Sequence, residues 1–318
     1  MKDQPDYGLK AGKWLIRRLR QRKHTRVYSA LPSEEHQSPR DIELQPGVIT
    51  TGSQQASSHS KQPRCLRRKL PLSMIWTRNV LFTLLAHGLL AMHVGTFNNL
   101  WFIFLSTPRF DPSHPSPSFG SVQRPPIHFT GGLALPPARI GLALSILGAI
   151  GITLQILLYP RLSARLGTIA SYRLSLLLFP VAYTLCPFLS LLPSSTAPPS
   201  PSGGAKVWAG ITMVLFVQVL ARTFALPATT ILINNCCPHP SVLGTIHGIG
   251  QSVSSGMRTI GPVLGGWAFG WGLNIGVVGV AFWGLAVVAV VGAVAGTFVK
   301  DGNGHEILLE GENDEAEN

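Results

Sequence analysis

The feature that most restricts how this chain folds is a long segment with almost no acidic residues. Between positions 79 and 300 the sequence has ten Lys or Arg residues and one acidic residue, Asp111. Charged side chains make up about a quarter of an ordinary soluble domain, but they are 13% of this chain, while apolar residues are 46%. One carboxylate is too few for a segment of this length to form a water-exposed protein surface. The segment therefore predicts a membrane body and disfavours a soluble enzyme, a nucleic-acid-binding domain and a disulfide-built secreted domain.

Apolar runs within this segment predict its helices. A transmembrane helix needs about 20 mostly apolar residues. Six runs qualify, at 80–106, 139–159, 169–191, 207–233, 243–270 and 274–299. The runs are too long and alternate too little for barrel strands. We expect an all-α membrane protein with six transmembrane helices, in which Pro160 ends the second run, Pro227 interrupts the fourth, and the glycine-rich fifth is the least apolar.

The flanking segments have a different composition. Residues 1–78 hold 16 Lys or Arg and 6 acidic residues, whereas the tail 301–318 holds 7 acidic residues and no Lys or Arg. We expect a basic cytoplasmic linker before the bundle and an acidic cytoplasmic tail after it. The stretch 29–63 predicts disorder. The basic run 9–26 is either a helix on anionic lipid or a solvated charge run.

Basic residues in the loops predict the orientation of the bundle. Arg161 and Arg165 follow the second run, and the first run is preceded by the basic linker. The loops 107–138 and 192–206 have few basic residues. Because basic loops stay in the cytoplasm, both termini are expected there, in a plasma or vacuolar membrane protein.

Arg222 is the clearest polar residue inside a run. An arginine at the centre of a transmembrane helix costs about 2.5–3.5 kcal/mol on insertion scales. Gln218 lies one turn before it and Thr229 two turns after it, so the three form a polar stripe. The functional interpretation is a cavity-lining cation that binds an anionic group or couples to a proton. The structural alternative is an arginine paired with backbone carbonyls of a neighbouring helix.

The fifth run carries a second polar stripe, formed by His247, Gln251 and Arg258. Small and kink-forming residues follow it: Gly261, Pro262, Gly265 and Gly266. Small residues at a spacing of four allow close helix packing, and proline favours a kink. The run thus predicts a helix with one close-packed face and one polar face in contact with water. Structural packing alone would explain the glycines equally well.

Further polar residues lie in the first and second runs, at His93, Asn98, Asn99 and Gln155. Each is either a substrate contact or an interhelical hydrogen-bonding group.

No Asp or Glu occurs in any of the six runs. A proton-coupled mechanism would then depend on His93 or His247, or on a carboxylate outside this chain. The four cysteines lack metal-ligand spacing and predict small buried side chains rather than a metal site. No motif of a metal hydrolase, nucleophile elbow or phosphate loop is present, so we expect neither an enzyme nor a bound cofactor.

Three segments together resemble a known family. They are LPLSMIWTRNVLFTLLAHGLLAMHVGTFNNLWFIFLSTPR, QVLARTFALPATTILINN and HPSVLGTIHGIGQSVSSGMRTIGPVLGG. In this order they resemble the C-terminal half of fungal major facilitator superfamily transporters, of the drug:proton antiporter-like branch.

The resemblance implies a fold and residue roles. The family has two six-helix halves, each a three-plus-three repeat, so this chain would form one half. Arg161, Arg165 and Gly167 resemble a degenerate copy of the family's cytoplasmic loop motif. Arg222 and the Gly261 to Gly266 segment resemble the fourth-helix arginine motif and the antiporter motif. By this likeness the first and fourth helices line the cavity, the second and fifth border the other half, and the third and sixth face lipid.

The expected function is secondary active transport of a small molecule by alternating access. The expected partners are the lipid bilayer, a small-molecule substrate and a second six-helix bundle, with no nucleic acid. Three explanations of the missing half stay open: a truncated gene model, a half-transporter that pairs with itself or another half, and an inactive remnant. A membrane scaffold that carries nothing is the alternative from a different functional class.

Overall fold

The computed structural model describes residues 72–113, 123–302, Gly304 and Ile307. The predicted disordered linker, the basic run 9–26 and most of the acidic tail lie outside these residues.

The described residues form six long helices joined by short irregular segments. They are α1 (Arg78–Ser106), α2 (Pro137–Leu166), α3 (Thr168–Leu185, continued by a 3₁₀ turn at Cys186–Leu191), α4 (Ala205–Asn235), α5 (Leu243–Asn274) and α6 (Gly279–Thr297). We call the end of the bundle that carries the 107–136 and 192–204 segments the loop end. The opposite end, where α1 begins and α6 ends, is the terminal end.

Five of the described helices, all except α5, are long and apolar enough to cross a bilayer. The chain is thus an integral multi-pass membrane protein with an all-helical bundle. Helix α5 has 32 residues but is more polar than the others. A sixth crossing along α5 stays a prediction.

Several predicted boundaries were wrong. Pro160 does not end the second helix, because α2 passes through a π turn at Leu154–Leu158 and continues to Leu166. The π turn shifts the hydrogen-bond register, which accommodates the missing proline N–H. Helix α4 likewise runs through Pro227, and the sixth helix begins at Gly279 rather than near Asn274, which ends α5.

The packing of the helices has an internal symmetry. Helix α1 packs mainly on α5 and α6, whereas α4 packs mainly on α3 and α2. Helices α3 and α6 also pack on each other. Exchanging α1 with α4, α2 with α5 and α3 with α6 therefore maps one set of neighbours onto the other.

Aromatic side chains fill the core between α1, α3 and α6. Phe97, Trp101 and Phe104 of α1 are buried there, with Tyr183 of α3 and Phe282 of α6. The Phe97 ring stacks on Tyr183 at 5.0 Å, and Phe104 meets Phe282 edge-on at 5.4 Å. Such pairs add about 0.5–1.5 kcal/mol beyond the burial of their area.

Helices α3 and α6 were expected to face lipid, and each has both a buried and an exposed side. On α6 the small residues Ala281, Ala289 and Gly292 are buried, whereas Val287 and Val294 are exposed. The two most exposed helices are instead α2 and α5. In the most apolar 18 residues of α2, 11% of the residues are buried, whereas 61% are buried in the corresponding stretch of α1.

Candidate functional site

A groove of about 680 Å³ lies between α2 and α4. Its α2 wall includes Gly148, Gly151 and Gln155, and its α4 wall includes Arg222 and Pro227. A side chain built on Gly148 would meet no neighbouring atom, so this part of the wall stays open. The groove is apolar except for a few polar groups, which is the usual composition of a small-molecule site.

Arg222 is the charged residue of this groove. Its side chain is half-buried, and the six described helices contain no Asp or Glu. No carboxylate of these helices can therefore neutralise the guanidinium. The groove therefore holds a half-buried cation without a counter-charge on the six described helices.

Gln218 lies one turn before Arg222 but occupies a different environment. Its side chain is fully buried, and neither its Oε1 nor its Nε2 has a hydrogen-bond partner within the described part of the chain. An unpaired buried amide costs about 1–3 kcal/mol. The polar stripe predicted along α4 is therefore split: Arg222 lines the groove, whereas Gln218 is buried in the core.

His93 is also buried in the core, where α1 meets α3. Its Nδ1 shares a hydrogen bond of 2.9 Å with the Tyr183 hydroxyl, and its ring meets Phe179 at 4.8 Å. Its Nε2 has no partner among the described residues.

Exposed polar groups occupy the facing surfaces of α1 and α5. Asn99 donates from Nδ2 to the Gly95 carbonyl at 3.0 Å. The side chain of Arg258 passes over Gly95, because a methyl built on that glycine would lie 3.4 Å from Arg258 Cγ. Asn98 is half-buried. Arg258 and Asn99 are exposed, so this surface presents a cation beside a carboxamide.

His247 connects α5 with α4 near the terminal end. Its Nε2 lies 2.6 Å from Asn234 Oδ1. Gln251, one turn later, is exposed. The predicted stripe on α5 thus divides into an interhelical contact at His247 and an open surface at Gln251 and Arg258.

The glycines after Arg258 lie in two different environments. A methyl at Gly261 or Gly265 would collide with Thr96 of α1, whereas one at Gly266 would meet no neighbouring atom. Pro262 lies within α5 and does not end it. One glycine face of α5 therefore packs on α1, and the other is uncovered by any described residue.

The basic loop motif is largely helical. Arg161 and Arg165 lie in the last segment of α2, and Gly167 ends that helix with a φ of 76°. This conformation suits glycine, which lacks a Cβ. The expectation of a loop beginning at Pro160 was therefore wrong, and the irregular connection is confined to Gly167.

Sequence reasoning missed several residues that fasten the terminal end. Asn79 bonds to the backbone of Lys300, and Arg173 donates to the Thr297 and Val299 carbonyls at 2.8 and 3.0 Å. Asn235 donates to Asp301 at 2.7 Å. Asn79, Arg173 and Asn235 lie within the first or last two turns of their helices, where polar residues are common, so the sequence held no signal for their pairing.

Metal ligands do not gather anywhere in the described ranges, in which no group of three His, Cys, Asp or Glu side chains could hold an ion. Cys186, Cys236 and Cys237 are free and buried. The interpretation of these three cysteines as small buried side chains is confirmed, and Cys65 lies outside the described residues.

Comparison with known proteins gives a related sequence. Over 226 residues, or 71% of the chain, the sequence is 33% identical to the major facilitator superfamily multidrug transporter mfsB of Aspergillus fumigatus. The match covers 34% of that protein, so the chain spans about a third of the length of the curated relative it matches. No protein-family profile matches the chain. The chain is a relative of fungal major facilitator superfamily transporters, which confirms the predicted likeness to that family.

Proposed function

We propose that this chain, as a relative of fungal major facilitator superfamily transporters, is one six-helix bundle of a secondary active transporter. It would carry a small molecule by alternating access, with the substrate site in the groove between α2 and α4. The observation that carries this proposal is the half-buried Arg222 in that groove, in a helix set without Asp or Glu.

The exposed faces of α2 and α5 support a second bundle as the partner. Ile152 and Ile156 of α2 are each 65% exposed, and Val263 and Trp267 of α5 are 69% and 70% exposed. The exchange symmetry of the helix packing makes α2 and α5 equivalent partners of α4 and α1. Two equivalent exposed helices beside the polar groups favour a three-plus-three repeat that docks a second bundle.

The position of each side chain suggests its role. Gln155 and Arg222 line the groove and would contact the substrate, and Asn98 and Asn99 would contact it from α1. His93 and Gln218 are buried in the core, so the substrate would contact them only after the helices change their packing. His247, Gln251 and Arg258 would border the second bundle.

Energy coupling would require no bound cofactor. Because the helices contain no carboxylate, a coupled proton would bind His93 or His247 of this chain or a carboxylate of the second bundle. Both termini would be cytoplasmic, in a plasma or vacuolar membrane. We expect no nucleic-acid partner for a transporter of this kind.

Binding of anionic and neutral fluorescent probes to the purified full chain in detergent tests the site. Arg222→Ala should weaken binding of a carboxylate-bearing probe by about tenfold or more, since the charge-assisted bond contributes about 1.5–3 kcal/mol. Lys206→Ala removes an exposed cation from the start of the same helix and is the matched control. Equal affinity of the Arg222→Ala and unmutated chains would exclude Arg222 from the site.

Accumulation or efflux of the probe in cells separates transport from scaffolding. Cells that express the full chain should accumulate or expel the bound probe differently from cells that express Arg222→Ala. Intact binding without any change of flux would favour the scaffold alternative.

A further inference from the structure

A second groove of about 740 Å³ lies between α3 and α6. It shares no lining residue with the groove that contains Arg222. One wall is formed by Pro180, Thr184 and Phe188, which are four residues apart along α3. The facing wall is an apolar stripe of α6 that includes Trp283 and Val287.

The groove is closed at the loop end of the bundle. Pro126 and Ile127 lie over it, in a turn held between Arg124 and His128 by backbone hydrogen bonds of 2.6 and 3.1 Å. The next residue, Phe129, is buried between Phe188 at 5.5 Å and Trp283 at 6.3 Å. Its carbonyl accepts from Val278 N at 2.9 Å. This roof is therefore anchored in the core rather than resting on the surface.

The dimensions of the groove favour an acyl chain over a helix. From Phe188 to Pro180 the wall spans eight residues, or about 12 Å at 1.5 Å per residue. This is close to half of a hydrocarbon core about 30 Å thick, the depth of one leaflet. A transmembrane helix would have to pass the loop end, where Pro126 and Ile127 close the groove.

Charge complements the apolar walls at the closed end. Arg124 is exposed beside the roof, where the polar headgroups of that leaflet would lie. Guanidinium groups bind phosphate in a paired geometry, and tryptophan is favoured at the membrane interface. The position of Trp283 near the start of α6 fits that depth.

We propose that this groove binds one glycerophospholipid, with an acyl chain between α3 and α6 and its phosphate at Arg124. The site is independent of the proposed transport function, because no residue is shared. Apart from Thr184, the described lining residues are prolines or carry aliphatic or aromatic side chains, so the walls select for hydrocarbon.

A phosphatidylcholine with a photoreactive diazirine in its acyl chain tests the site in vesicles that contain the full chain. Crosslinks mapped by mass spectrometry should concentrate on the groove walls. Val287→Trp fills the groove at a residue that is 63% exposed, so it can be replaced without opening the core. It should lower the crosslinking there about tenfold, which corresponds to about 1.4 kcal/mol.

Val294→Trp is the matched control, because it adds the same ring to an exposed position of α6 outside the groove. It should leave the crosslinks unchanged. Arg124→Gln should lower them about threefold, since one exposed charge-assisted contact is lost. Three results would overturn the proposal: crosslinks equally frequent at exposed Leu174 and Leu177, an equal loss with both tryptophan variants, or displacement of the probe by a sterol. Unchanged labelling of Arg124→Gln would overturn the assignment of the phosphate contact.

Discussion

Asn79 at the start of α1 pairs with the backbone of Lys300 just beyond α6 through two hydrogen bonds. Its Nδ2 donates to the Lys300 carbonyl at 3.1 Å, and its Oδ1 accepts from Lys300 N at 3.0 Å. One side chain thus joins segments 221 residues apart. The segment after α6 is thereby fixed to the first helix at the terminal end of the bundle.

Removal of this pair should loosen the terminal end. Asn79→Ala should lower the free energy of unfolding by about 1–2 kcal/mol, since two partly exposed hydrogen bonds are lost. Thermal unfolding in detergent measures the change, and limited proteolysis after Lys300 reports its location. Asn99→Ala is the control, because Asn99 bonds within its own helix. Equal protease resistance of the two variants would contradict the fastening role.

The glycines of α5 should respond oppositely to the same substitution. Gly261→Ala should destabilise the bundle by about 1–3 kcal/mol, because the new methyl collides with Thr96. Gly266→Ala meets no neighbouring atom and should stabilise the helix by about 0.5–1 kcal/mol through reduced backbone entropy. Unfolding midpoints of the two variants provide the comparison. A midpoint for Gly261→Ala as high as that for Gly266→Ala would show that α1 and α5 do not pack in this register.

The buried pair of His93 and Tyr183 should show energetic coupling. Tyr183→Phe leaves His93 Nδ1 without its hydroxyl partner in the core, which should cost about 1–3 kcal/mol. The double change with His93→Phe should cost less than the sum of the single changes, because no polar atom is then left unpaired. A double-mutant cycle of unfolding free energies measures this difference. Strict additivity would show that the hydrogen bond contributes nothing.

The thiol of Cys237 should react slowly with alkylating reagents. Cys237 lies in the connection between α4 and α5, and burial raises the pKa of its thiol above the ordinary value. Its Sγ donates to the His239 carbonyl at 3.0 Å, which also favours the protonated thiol. The thiolate is the reactive form, so its fraction at pH 8 is smaller in the folded chain than in the unfolded one. Timed labelling with iodoacetamide before and after denaturation measures the ratio.

The same shift has a defined effect on stability. Because the pKa of Cys237 is higher in the folded state, its contribution to stability is complete below pH 9 and is lost as the pH rises through the folded value. Cys237→Ser should therefore flatten the fall of the unfolding midpoint above pH 9. An unchanged pH profile would contradict the raised pKa.

The sequence predicted the positions of most helices but not how they end. The second and fourth apolar runs predicted α2 and α4, because a helix satisfies its own backbone groups in lipid. Proline was expected to stop α2 at Pro160, yet a π turn absorbs the missing donor. Such a turn depends on the register of the surrounding helix, which residue types alone do not specify.

The sequence by itself determined that this chain is a helical membrane bundle, since a nearly acid-free segment of apolar runs has no stable alternative in water. It also placed Gln218 and Arg222 one turn apart in the same helix. Only the tertiary structure decided that Arg222 lines an open groove while Gln218 is sealed in the core. Helical periodicity determines the direction in which each side chain leaves the helix. The packing of the neighbouring helices determines which of those directions is buried.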